Sequence, residues 1–228
     1  MANRRILLVV SSVDRIPGTE QPTGVWLEEL AASYNAFLAA GFDVSLASPK
    51  GGRSPIDPMS QQDPWLTEVG KRFMADSRAQ SQIASTESLR RLDSNDIDAI
   101  YLVGGLATVW DFLENVELSK LVTEMHARGK VVGAVCHGVL GLTTATDTSG
   151  QLLVKGRKVT GVSNEEEKMG GLEAIVPVTP QNRLTAVGAD YSCGSPFQPY
   201  VVADGRLYTG QNPASAGPLA TRMIDALK

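Results

Sequence analysis

Four apolar, strand-like runs recur along the chain, at Arg5–Val13, Phe42–Ser48, Ala99–Val103 and Lys130–Val135, with helix-patterned segments between them. A strand, a crossing helix and a second strand bring the chain back parallel to its start, with helices covering the sheet. The alternation therefore predicts an α/β fold: a three-layer α-β-α sandwich around a mostly parallel sheet. Between the runs, Thr23–Ala40 carries apolar residues at Val25, Trp26, Leu30, Tyr34, Phe37 and Leu38, close to a 3.6-residue period, and Gly41 follows as a helix C-cap. Thr86–Asp93 reads as a shorter helix, Val109–Arg128 as a longer one ending at Gly129, and Ala214–Leu227 as a closing helix.

Two segments depart from the alternation. Ser48–Pro64 is dense in Pro, Gly and Ser and reads as an ordered surface loop. Gly150–Val162 reads as a hairpin, with strands Gln151–Val154 and Arg157–Val162 around Lys155-Gly156. A second hairpin is predicted at Tyr200–Tyr208 around Asp204-Gly205, a strong short turn signal.

The 228 residues fit one domain, 1–228, with a full core. A net charge of −4 argues against nucleic acid or an anionic membrane as the main partner. No apolar run reaches the ~20 residues of a membrane span. The N-terminal MANRRILLVVSSVDR reads as a first buried strand rather than a signal peptide. Two cysteines do not make a disulfide framework, so a reducing, cytoplasmic setting is expected.

The last of the four runs ends abruptly in Cys136-His137-Gly138, within Ala134-x-Cys136-x-Gly138. This is the cysteine counterpart of the G-x-S-x-G elbow, in which a sharp strand-to-helix turn lifts a nucleophile clear of the sheet. A helix N-terminus aimed at the thiol would lower its pKa. By themselves, Cys and His in sequence fit a buried structural cysteine as well; the strand and glycine context favours the elbow. In parallel sheets ligands sit beyond the carboxyl ends of the strands. The pair Gly104-Gly105, after Ala99–Val103, falls at that same edge.

A thiol needs a base, and an imidazole used this way is oriented by a carboxylate. Of the two histidines, His126 sits late in a helix and reads as a surface residue, whereas His137 adjoins the cysteine. The carboxylate candidates are Glu165-Glu166-Glu167 and Glu28-Glu29. Acidic charge behind an Asn164 N-cap accounts for part of the first group. Glu29 falls near the buried face of its helix with Val25, Trp26 and Ser33, where burial raises a carboxyl's pKa. Cys193 reads as structural, and Trp26 and Trp110 read as core residues near the site. The chain has no zinc-ligand spacing, no phosphate loop and no dinucleotide fingerprint, so no metal and no organic cofactor are expected.

Taken in order, TGVWLEE (Thr23–Glu29), ASPKGG with PIDP, GGLATVWD (Gly104–Asp111), AVCHG (Ala134–Gly138), VTGVSNEEE (Val159–Glu167) and DGRLYTGQNPASA (Asp204–Ala216) resemble the PfpI/ThiJ superfamily. The chain looks most like its heat-shock-protein-31-like branch of glutathione-independent glyoxalases (glyoxalase III) and chaperones. The resemblance covers nearly the whole chain. It implies a flavodoxin-like, class I glutamine-amidotransferase-like fold with hairpin insertions, a homodimer, and a small carbonyl substrate handled without a cofactor. It makes Cys136 the nucleophile, His137 its base, Glu29 the carboxyl that contacts the thiol, and Glu167 the group orienting His137, with Glu165 and Glu166 within one slip of register. Gly105, with an N–H of the elbow, would stabilise an oxyanion, and Gly104, Leu106 and Trp26 would line the substrate. Glyoxalase members typically read GGHG where this chain has Gly104-Gly105-Leu106-Ala107. The implied reaction turns methylglyoxal into lactate through a Cys136 hemithioacetal. The same site also suits amide or isonitrile hydrolysis or deglycation, and a third reading is a stress protein without turnover, either a holdase chaperone or a cysteine redox sensor.

Overall fold

The computed structural model describes residues 4–228, so the first three residues of the N-terminal segment lie outside it. The chain runs through β1 (Arg5–Val9), α1 (Leu27–Ala39), β2 (Asp43–Ser48), α2 (Glu68–Ala75), α3 (Ser77–Ala84) and the two-residue β3 (Glu87–Ser88). It continues through β4 (Ala99–Leu102), α4 (Thr108–Asp111), α5 (Val116–Ala127) and β5 (Val131–Val135). The C-terminal part holds β6 (Lys158–Val159), α6 (Asn164–Met169), α7 (Pro180–Ala186), β7 (Asp190–Tyr191), β8 (Val201–Asp204), β9 (Leu207–Gly210) and α8 (Ala216–Leu227).

Seven strands form one sheet in the order β3-β2-β1-β4-β5-β9-β8. Neighbours are parallel except for β8, which pairs antiparallel with β9. Successive side chains on a strand point to opposite faces. Ile6 and Leu8 accordingly join Leu30, Tyr34 and Phe37 of α1 and Leu219 and Met223 of α8. Leu7 and Val9 join Leu118, Leu121, Val122 and Met125 of α5 on the other face. This is the three-layer α/β arrangement the alternation predicts. Each such side chain stabilises the fold by about 1.5–3 kcal/mol on burial, so the two apolar layers hold the carboxyl edge of the sheet rigid while its turns carry polar groups.

Several local expectations are corrected. The segment Val109–Arg128 is not one helix: it breaks between α4 and α5, where Glu114 adopts φ 59° and the Asn115 side chain caps α5 by accepting from Leu118 N–H at 3.0 Å. Thr86–Asp93 is β3 followed by a single 3₁₀ turn, Leu89–Arg91, because Glu87 and Ser88 extend the sheet beside Ala47 and Ser48. Gly150–Val162 is not a hairpin. Lys158–Val159 pairs in parallel with Asp190–Tyr191 instead, and Gly156 N–H donates to Gly188 O, so its partner comes from a distant part of the chain. Helices α2 and α3, capped by Thr67 and Asp76, are amphipathic and only eight residues each, burying Gly70 and Phe73 in the first and Ala79 and Ile83 in the second. Helix α1 begins at Leu27, because Val25 is held extended in a parallel bridge to Ile56. The hairpin at Asp204-Gly205 is formed by β8 and β9, and Gly41 follows α1 at φ 86°.

A buried carboxylate ties the sheet edge to α4. Asp111 accepts from Ser11 Oγ at 2.9 Å and from Ser12 N–H at 2.7 Å, joining the turn after β1 to the helix after β4. Burial, only partly offset by these donors, raises its pKa to about 6. The folded state therefore binds this proton more tightly than the unfolded chain, and the resulting stabilisation is present at low pH and lost as pH rises through about 6. Asp111→Asn removes that slope. Urea unfolding of the variant and the wild type is expected to show the variant gaining on the wild type by roughly 1–3 kcal/mol between about pH 4.5 and about pH 7. Parallel stability curves would mean that burial of Asp111 is not felt.

Candidate active site

Strand β5 is buried throughout, and the chain turns sharply at its end. Cys136 adopts φ 58°, a left-handed conformation that costs a non-glycine residue about 1–3 kcal/mol and persists only where surrounding packing imposes it. The segment that follows is a seven-residue 3₁₀ helix, Cys136–Leu142, rather than an α-helix. The turn brings the adjacent side chains together: Cys136 Sγ lies 3.3 Å from His137 Nδ1. His137 Nε2 lies 2.8 Å from Glu167 Oε1. A carboxylate only accepts, so Nε2 carries the proton and Nδ1 presents its lone pair to the thiol.

The loop after β4 closes the other side. Trp26 N–H donates to Gly104 O at 3.2 Å, which seats the start of α1 against this loop. Three residues further, in the first turn of the helix, Glu29 Oε2 accepts from Gly104 N–H at 2.9 Å. A Cβ at position 104 would fall 2.4 Å from Glu29 Oε2 and 2.8 Å from Cys136 Cβ, so carboxyl and cysteine share the space left by the missing side chain. Gly105 takes φ +115°, with Gly24 O and Trp26 N too near to admit a Cβ.

The site is closed. Glu29 and Glu167 are 0 % exposed, His137 4 % and Cys136 6 %. Burial pushes the Glu29 carboxyl up to about 7, against the pull of the Cys136 thiol, His137 and the Gly104 N–H. Burial opposes charge on His137 too, but Glu167, Glu29 and Glu166 together outweigh it and raise its pKa. The thiol is pushed well above its usual range by burial and then by Glu29, with only the His137 N–H acting in the other direction. This corrects the expectation of a depressed thiol pKa: burial, and then the neighbouring carboxyl, outweigh the one N–H that the 3₁₀ turn supplies. One oxygen on each buried carboxyl, Glu29 Oε1 and Glu167 Oε2, has no protein partner.

The three consecutive glutamates are separated by helix phase. Glu165 is exposed. Glu166 and Ser163 form a capping box, so Ser163, not Asn164, caps α6. Only Glu167 reaches His137. Glu28 points away to the Thr67 hydroxyl at the start of α2. Leu106 packs beside Trp110 against Val109, Leu140 and Val176, and half-buried Trp26 meets Trp65 edge-on at 5.7 Å. Cys193 is exposed. Among the described residues no cluster of three His, Cys, Asp or Glu side chains is placed to hold a metal ion, and no helix is long and apolar enough to cross a membrane. Sequence reasoning offered Glu166 only as an alternative to Glu167 and gave Gln211 and Asn212 no role beyond their place in the GQN of the late motif.

Residues 23–226 match the model of the DJ-1/PfpI family, and the chain belongs to that family. It is 30% identical over 237 residues to the glutathione-independent glyoxalase HSP31 of Saccharomyces cerevisiae, covering 100% of both chains. It is 28% identical to glyoxalase 3 of Candida albicans, with 98% of each covered. Among solved structures, the Francisella tularensis rapid encystment protein of 24 kDa superposes with a TM-score of 0.93 at 35% identity, covering 99% of each chain. Glyoxalase III of Candida albicans superposes with a TM-score of 0.91 at 28% identity, covering 98% of this chain and 97% of that one.

After burial, Glu29 is the main group that disfavours the thiolate. Glu29→Gln removes the charge beside the sulfur while keeping an acceptor for Gly104 N–H. Alkylation of Cys136 by iodoacetamide, followed against pH, is expected to shift its midpoint to lower pH in the variant. An unmoved midpoint, or one moved upward, would remove Glu29 from this role.

Proposed function

We propose that the protein is a cofactor-free cysteine enzyme acting on small 2-oxoaldehydes, a glutathione-independent glyoxalase that turns methylglyoxal into lactate. The observation that carries this reading is the buried Cys136 held between His137 Nδ1 and the Glu29 carboxyl. Relatives named glutathione-independent glyoxalase and glyoxalase 3, aligned over 100% and 98% of the chain, support it. Cys136 Sγ adds to the aldehyde carbon as its proton passes to His137, giving a hemithioacetal. The oxyanion accepts from the backbone N–H groups of Gly105 and His137. Glu29, near its midpoint at neutral pH, takes the proton from the former aldehyde carbon and returns it to the neighbouring carbon through an enediol. One carbon is oxidised and its neighbour reduced, so no external redox partner is needed. Water then cleaves the thioester and restores the thiol.

Glu167 fixes the His137 tautomer and stabilises the imidazolium formed on attack. Leu106 offers no hydrogen bond, so the oxyanion rests on backbone donors alone. The raised thiol and its near-complete burial count against a redox sensor, which needs an accessible thiolate. The reading includes a homodimer, as the family resemblance implies, in the reducing, cytoplasmic setting that the cysteine content suggests.

The test is methylglyoxal turnover without glutathione. The wild type is expected to turn over, Cys136→Ala to lose all activity, and Leu106→His to change kcat/KM by less than about tenfold, the worth of one hydrogen bond. A wild type with no turnover overturns the reading. A larger gain in Leu106→His would mean that a side-chain donor is required and that this chain serves another carbonyl.

A further inference from the structure

Glu166 receives more hydrogen bonds than a capping box explains. Its Oε2 accepts from Ser163 N–H at 3.1 Å, Ser163 Oγ at 3.0 Å and Gln211 Nε2 at 2.9 Å. Its Oε1 accepts from Phe197 N–H and from Asn212 Nδ2, both at 2.8 Å. All five partners are neutral donors, and the carboxyl is buried. The two amides are themselves oriented: Gln211 Oε1 accepts from Gly194 N–H, and Asn212 Oδ1 from Ser215. Each therefore turns its NH₂ toward Glu166. Such an arrangement serves an acceptor-only group.

The location gives this network a role at the site. Gly210 is the register partner of Val135, the residue before the nucleophile. Gln211 and Asn212 thus leave the sheet beside Cys136 and His137. Glu166 grips both from α6, while the next residue, Glu167, makes a single side-chain hydrogen bond, to His137. The other oxygen of Glu167 has no partner, so its position depends on where α6 is held. Phe197, at φ 58°, is drawn into the same grip through its N–H, which fixes the loop 192–200 as well.

We propose that Glu166 is a positioning residue: it clamps α6 to the sheet edge that carries the nucleophile and so sets the Glu167–His137 contact. The inference rests on the cysteine-enzyme reading of the site, but not on which carbonyl is turned over. Glu166→Gln keeps the shape while replacing one acceptor oxygen by an NH₂ that must face the existing donors. Turnover of methylglyoxal is expected to show kcat lower by about 10- to 100-fold, the scale of a small misplacement of a catalytic group, with KM little changed. Alkylation of Cys136 by iodoacetamide, which needs no substrate, is expected to shift to lower pH as a negative charge near Cys136 and His137 is lost. A purely structural role would lower the folded fraction and leave kcat per folded molecule unmoved. A folded Glu166→Gln with wild-type kcat and an unshifted alkylation profile overturns the proposal. If Glu166→Gln does not fold, Gln211→Met, which removes one donor and keeps the carboxylate, decides: a lower kcat at unchanged KM supports the clamp, and wild-type turnover overturns it. If the wild type itself does not turn over methylglyoxal, the glyoxalase reading fails and Gln211→Met, which keeps the Glu166 carboxylate, decides by alkylation of Cys136: a changed pH profile supports the clamp, and an unchanged one overturns it.

Discussion

The arrangement of the site depends on one close approach, that of the first turn of α1 to the loop after β4. Trp26 N–H and Gly104 O hold the backbones together, and the missing side chain at position 104 leaves space for the Glu29 carboxyl. With a Cβ there, Glu29 could not reach the Gly104 N–H or share space with Cys136. The approach is enforced from both sides. The Leu30, Tyr34 and Phe37 face of α1 is buried on the sheet, and β4 runs between β1 and β5. The apolar layers therefore fix the distance between a carboxyl on a helix and a thiol on a strand, two groups far apart in the chain.

Burying such groups has a cost. Three carboxyls and an imidazole lie in a region almost closed to water, where unpaired charge is strongly disfavoured. The structure meets the cost differently for each. Glu166 is surrounded by donors, Glu167 faces His137, and Glu29 is left near its midpoint, with burial as the main cause. Glu166 accepts five hydrogen bonds, whereas Glu29 and Glu167 accept one each, from the Gly104 N–H and from the His137 ring.

Much of this was legible in the residues, and the limits were physical. The β-α alternation specifies a parallel sheet because long apolar runs and periodic helices are collective signals. The elbow was visible because Ala134, Cys136 and Gly138 restrict backbone geometry locally. Glu29 could be placed on a buried face by helical phase alone. Other features depended on distant partners. Lys158–Val159 carries the β-branched content of a hairpin strand, but its partner is Asp190–Tyr191, and nothing local distinguishes the two pairings. The break at Glu114 interrupts a continuous apolar period. The direction of the thiol's pKa shift was misread for the same reason: the helix N-terminus is a sequence signal, whereas burial and the nearness of Glu29 exist only in the folded chain.

A thiol whose pKa is raised at rest is consistent with the chemistry proposed for it. Only interactions that strengthen in the transition state accelerate a reaction. In the resting site the sulfur proton faces a histidine lone pair, and a nearby carboxyl discourages the anion. In the proposed attack, negative charge develops on the carbonyl oxygen, away from Glu29 and toward the backbone N–H groups of Gly105 and His137. The proton moves to an imidazole already hydrogen-bonded to Glu167. The thiol proton leaves only as charge develops on the carbonyl oxygen, so no thiolate has to stand beside Glu29, and the favourable pairing of imidazolium with Glu167 is gained. A permanently ionised thiol would be held against the Glu29 carboxyl and would be open to oxidation. The closed, carboxyl-rich surroundings of Cys136 keep the nucleophile latent until a substrate provides somewhere else for the charge to go.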